Sequence, residues 1–88
     1  MLRILSVCLL SLFASSAFAA ANCPAYPAKE WMKKPEARKL LEAQGFKIRT
    51  FKVDGNCYEI YAKDKKGKKV EIYFDAKTLA PIKTIAYD

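Results

Sequence analysis

An α+β fold is what this sequence predicts: one short helix packed on one face of a three- to four-stranded antiparallel meander sheet, in two layers and a single domain. Three observations carry that reading. Apolar residues at helical spacing stop at Gly45. Alternation with a period of two takes over from Phe46 and runs past Phe74. Two turn segments, Asp54-Gly55-Asn56 and Asp64-Lys65-Lys66-Gly67-Lys68, interrupt the alternation at hairpin intervals. The chain has 88 residues, enough for one small domain and too few for a two-domain enzyme.

The first element is expected to be removed. Met1-Leu2-Arg3 precedes an apolar run from Ile4 to Phe13, and Ala17-Phe18-Ala19 follows. A basic start, a short apolar stretch and an A-x-A end are the parts of a secretory signal peptide, and the run is too short to span a bilayer. Residues 1–19 are therefore read as a cleaved signal, with cleavage after Ala21 as the alternative. No stable membrane anchor is expected afterwards. The expected location is the periplasm, with secretion as the alternative.

Cys8 leaves with the signal, so Cys23 and Cys57 remain. In an oxidising compartment they are expected to form a disulfide. It would close a loop of about 35 residues, which the chain-entropy model values at roughly 3–4 kcal/mol. No C-x-x-C motif supports a redox role. Neither Val7 before Cys8 nor Asn22 before Cys23 suits a lipoprotein cysteine.

Residues 20–34 read as an N-terminal arm, with Pro24, Pro27 and no sustained period. Residues 35–88 form the domain proper. Lys34-Pro35-Glu36 is a helix start, because Pro suits the first helical position and an acid suits the positive end of the dipole. Ala37, Leu40, Leu41 and Gln44 recur at helical spacing, and Gly45 suits a left-handed cap, giving a helix over 35–44 that docks its Ala37/Leu40/Leu41 stripe. Phe46-Lys47-Ile48-Arg49 and Phe51-Lys52-Val53 alternate in opposite phases, so a bulge near Thr50 brings both onto one face. After the Asp54-Gly55-Asn56 turn, Tyr58, Ile60 and Ala62 share a face. A three-residue loop with Gly67 left-handed then fixes the register: Ala62 opposite Val70, Ile60 opposite Ile72, Tyr58 opposite Phe74. Residues 75–81 form an irregular link, and 82–87 a last, edge strand.

This order of pieces resembles the small exported PepSY-domain proteins, named for peptidase propeptides and YpeB. The residues that carry the likeness are Trp31, the helix ending in Gly45-Phe46, the run Asp54-Gly55-Asn56-Cys57-Tyr58-Glu59-Ile60-Tyr61-Ala62, and the hairpin from Asp64 through Lys69-Val70-Glu71-Ile72-Tyr73-Phe74. It covers about Trp31 to Tyr87. The sequence departs at Asp75-Ala76-Lys77-Thr78-Leu79, where the family usually has an Asp-Pro-x-Thr-Gly turn. The resemblance implies a helix on an antiparallel sheet, no catalytic residues, and, for longer relatives, a role in binding or restraining peptidases.

Function is less legible. The chain has 16 basic and 9 acidic residues, a net charge of +7, and no His. Lacking His, it lacks the commonest metal ligand and the usual general base near neutrality. Lys63, Lys65, Lys66, Lys68 and Lys69 gather at one hairpin tip. They form either an anion patch or a solubilising tip that blocks edge pairing. Glu59, Glu71, Tyr61 and Tyr73 share the face away from the helix. They are read as a protein-contact face with aromatic anchors, against ordinary cross-strand pairing or cover by the arm. No catalytic residue, cofactor or metal is expected, and export argues against nucleic acid. The expected function is a non-enzymatic periplasmic interaction module whose partner is an unidentified periplasmic or envelope protein, a peptidase if the resemblance holds. The alternative is a cationic envelope protein that binds anionic lipid or polymer through the lysine-rich hairpin 63–69.

Overall fold

A computed structural model describes residues 21–87; the expected signal peptide lies outside them. A short 3-10 turn, Ala28–Glu30, leads to helix α1, Lys34–Ala43, and then to strands β1, Lys47–Asp54, β2, Cys57–Lys63, β3, Lys69–Asp75, and β4, Pro81–Ala86. The four strands form one antiparallel sheet in the order β1-β2-β3-β4. This is the expected meander, with α1 on one side of it.

The β2–β3 register is the expected one, with Ala62 opposite Val70, Ile60 opposite Ile72 and Tyr58 opposite Phe74. Its loop is built by Asp64, whose Oδ1 accepts the amides of Lys66 and Lys68 at 2.9 Å each. Gly67 there has φ +82°, which L side chains rarely adopt. The irregularity in β1 lies between Ile48 and Thr50 and brings Ile48 and Phe51 onto the core side. Val53 shares that side but is 43% exposed.

Pro35 occupies the first turn of α1, and Gly45 follows it at φ +105°. The helix buries Ala37 and Leu41, and together with Tyr58, Ile60, Ile72 and Phe74 these form the core. Leu40 was expected in the docking stripe, but it is 43% exposed. A ten-residue helix lying against the edge strand β1 presents only the narrow i, i+4 line of Ala37 and Leu41 to the sheet, and Leu40 lies off that line.

The remaining cover comes from the arm. Cys23 and Cys57 are joined by a disulfide with Cα atoms 5.4 Å apart. Tyr26 then donates to Asp75 Oδ2 at 3.1 Å, and the Met32 amide donates to the Ala76 carbonyl at 2.9 Å. Trp31 stacks edge-on to Tyr58 with centroids 5.4 Å apart, and Phe51 meets the same ring at 5.0 Å. Trp31 and Met32 thus extend the helix-side core. In the link from β3 to β4, Asp75 Oδ1 accepts the Lys77 and Thr78 amides, and Leu79 closes the turn at φ +63°. Leu79 is 8% exposed and packs into the core, so a bulky residue holds a left-handed conformation that glycine adopts without strain.

Candidate functional site

The sheet face opposite α1 carries the alternate residues of each strand. Its central rows are set by pairing: Lys52, Glu59, Tyr73 and Lys83 in one, Thr50, Tyr61, Glu71 and Ile85 in the next, and Lys47, Lys63 and Lys69 in a third. Composition alone presents this as an open, solvated surface. Instead Glu59, Glu71 and Tyr73 are 1%, 7% and 4% exposed, while Tyr61 is half-buried. Four residues read as a contact face are therefore one packed cluster, and of these four only Tyr61 offers much surface.

Glu71 organises the cluster. Its Oε2 accepts the Tyr73 hydroxyl at 3.1 Å and its Oε1 the Tyr87 hydroxyl at 2.6 Å, while the Tyr61 phenol is also hydrogen-bonded to it. Glu59 lies beside it, with Lys52 Nζ 3.9 Å from its Oε1. That oxygen is buried and has no hydrogen-bond partner among the described residues. Two buried carboxyls this close do not both ionise readily. Desolvation, then the hydrogen bond and charge of Glu71, raise Glu59 to about 7, and Lys52 only partly offsets this. Glu71 moves the opposite way, below the usual carboxylate range, because Glu59 and the phenols donate to it. The pair holds one proton between them, on Glu59. The hydrogen bond to Glu71 lifts Tyr61 to about 12, and burial with the same carboxylate lifts Tyr73 further.

This arrangement has a pH signature. Folded Glu59 keeps its proton up to about pH 7, whereas an unfolded glutamate releases it near 4.5. The folded state therefore binds more protons in that window, and stability falls as pH rises through it. Glu71 contributes in the other direction, with stability present above its unfolded value and lost in strong acid. Urea unfolding at several pH values is expected to show greatest stability near about pH 5 and a loss of about 1–3 kcal/mol by about pH 8. Glu59→Gln, which mimics the protonated acid, is expected to remove that alkaline decline. A flat profile in the wild type between those values would refute the shared proton.

The cluster has no nucleophile–base set, and no group of three or more metal-ligating side chains occurs among the described residues. The lysines of the hairpin tip form no ion pair with it. Lys63 and Lys69 face each other, while Lys65, Lys66 and Lys68 stand on the loop, and all five are exposed. Sequence reasoning missed Tyr87, Lys52 and Lys47. Tyr87 shares the alternation of Lys83 and Ile85, and Lys47 follows from the bulged register, so both signals were present but needed the β1 and β4 pairings.

The fold and the site together define a small disulfide-tied α+β domain with one hydrogen-bonded polar face. Over residues 3–85 the chain matches the family described as peptidase propeptide and YPEB domain, and it belongs to that PepSY family. No curated protein matches it. No solved structure matches it either. The family makes this a propeptide-like or regulatory module. Its domains are generally inhibitory rather than catalytic, and typically extracellular or periplasmic. No helix among the described residues is long and apolar enough to cross a membrane.

Proposed function

We propose that the protein is a non-enzymatic periplasmic module that binds and restrains a peptidase through the sheet face opposite α1. The observation that supports this reading is the aromatic pair Tyr61 and Tyr87 at that face. Both phenols are anchored on the buried Glu71, and Tyr87 remains 43% exposed. Rings fixed in advance lose little entropy on contact, and aromatic anchors carry most interface energy. In this reading Tyr61 makes contact, whereas Tyr73, Glu59 and Glu71 hold it in place from beneath.

The test uses peptidases from a periplasmic fraction and follows peptide hydrolysis with and without added protein. Wild type is expected to slow hydrolysis, and Tyr61→Ser with Tyr87→Ser to weaken that effect by at least about tenfold while the disulfide and fold persist. Neutralising Lys65, Lys66 and Lys68 is expected to alter mainly the association rate and its salt dependence. Inhibition that survives loss of both tyrosines would refute the contact face.

A second reading is favoured by the unbroken lysine row Lys47, Lys63 and Lys69. It is a cationic envelope protein that holds anionic lipid or polymer through the hairpin 63–69. Binding of that kind collapses between low and physiological salt, whereas aromatic contact does not.

A further inference from the structure

Three lysines side by side across three strands repel one another. Lys47 is opposite Lys63, and Lys63 is opposite Lys69. Like charges directly opposed in a sheet destabilise it unless something compensates them. Nothing among the described residues does. The ion pairs are Arg38–Glu42, Lys52–Glu59 and Lys77–Glu30, and none involves Lys47, Lys63, Lys69 or the neighbouring Arg49.

These four cations line one groove of about 460 Å³. Its single carboxylate, Glu42, is already paired with Arg38 at 3.4 Å. Beside the lysines its carbon surface comes from the rings of Tyr61 and Tyr87; Ile48, Ala62 and Val70 also border the groove but belong to the core side of the sheet. Because the phenols of Tyr61 and Tyr87 are taken by Glu71, the two residues offer the groove ring rather than hydroxyl. The volume falls in the range of small-molecule sites, roughly 300–1,000 Å³. A cationic rim with no ion-pair partner among the described residues, beside two tyrosine rings, is complementary to a ligand with an anionic head and an apolar tail.

We propose that this groove binds a single-chain amphiphilic carboxylate, a free fatty-acid-like anion. The head sits among Lys47, Lys63 and Lys69, and the tail lies along the rings of Tyr61 and Tyr87. The site shares Tyr61 and Tyr87 with the peptidase contact proposed above but does not depend on that reading, because its lysines lie outside that contact.

The test titrates purified, oxidised protein with dodecanoate below its micelle concentration, following heat and the ring resonances of Tyr61 and Tyr87. Parallel titrations use acetate, which has the head alone, dodecyl maltoside, which has the tail without charge, and vesicles of anionic phospholipid. Dodecanoate is expected to saturate one site and shift the resonances of both rings, with acetate and the maltoside at least about tenfold weaker. Lys63→Gln with Lys69→Gln is expected to lose at least about tenfold in dodecanoate affinity, while Lys65→Gln with Lys66→Gln keeps it. The groove double variant replaces exposed residues and relieves repulsion, so it stays folded. Equal binding of the maltoside, vesicle binding without dodecanoate binding, or an unchanged Lys63/Lys69 double variant would each overturn the proposal.

Discussion

Replacing Ile60 by alanine is expected to lower the unfolding free energy by about 2–5 kcal/mol, as truncation of a buried aliphatic side chain does. Ile60 is fully buried in the inner strand β2, between Phe51 on β1 and Ile72 on β3, in the cluster that also holds Leu41. Strands on both sides fix the backbone, so the site cannot easily collapse into the space left behind. In a domain of this size each kcal/mol moves the melting temperature by about 4–8 °C, so the variant should melt well below the parent. Lys66→Ala on the exposed loop is the comparison, with an expected cost under about 0.5 kcal/mol. Urea titration of both variants decides the matter. Comparable costs at the two positions would mean that the register from Ala62 to Val70 does not organise the core.

Reducing the Cys23–Cys57 disulfide is expected to cost about 3–4 kcal/mol, and it acts on a different state of the chain. The two cysteines are 34 apart in sequence. The bond limits the unfolded ensemble across the arm, α1 and β1, whereas Ile60 acts on native packing. Without the bond, the Tyr26–Asp75 and Trp31–Tyr58 contacts must hold the arm unaided. Exported protein lacking residues 1–19 is expected to show no titratable thiol until unfolded with reductant, and its melting temperature is expected to fall markedly on reduction. Cys57→Ala should reproduce that fall. Free thiol in the native exported protein would refute the bond. A melting temperature indifferent to reductant would refute its contribution to stability.

The parts of this molecule that could be read from sequence are those whose signal is local. From Tyr58 to Phe74, alternation and one loop of fixed length leave a single register, and the structure has it. The bulge near Thr50 was legible because a change of phase within one strand has few physical causes. Leu40 was misplaced because helical spacing shows which residues share a face but not how wide a strip of it meets the sheet. The buried state of Glu59 and Glu71 was hidden for a different reason. Their cover comes from side chains on other strands, and Tyr87 reaches Glu71 only because β4 pairs with β3 through a register shift between Tyr73 and Phe74. Leu79 gave no turn signal at all, since a left-handed leucine is set by the burial of its side chain and by the Asp75 carboxylate, not by its own preference.

The disulfide also determines how the folded chain bears a pull on its ends. Tension entering from the N-terminal side passes through the sulfurs from Cys23 to Cys57 and bypasses everything between them. Helix α1 and strand β1 lie inside that closed ring and carry none of the load. Only β2, β3 and β4 stand in series with the force. The oxidised protein therefore withholds about 110–120 Å of its contour from extension, at about 3.3–3.6 Å per residue, and reduction returns that length. Oxidation state thus sets how far the protein can be stretched.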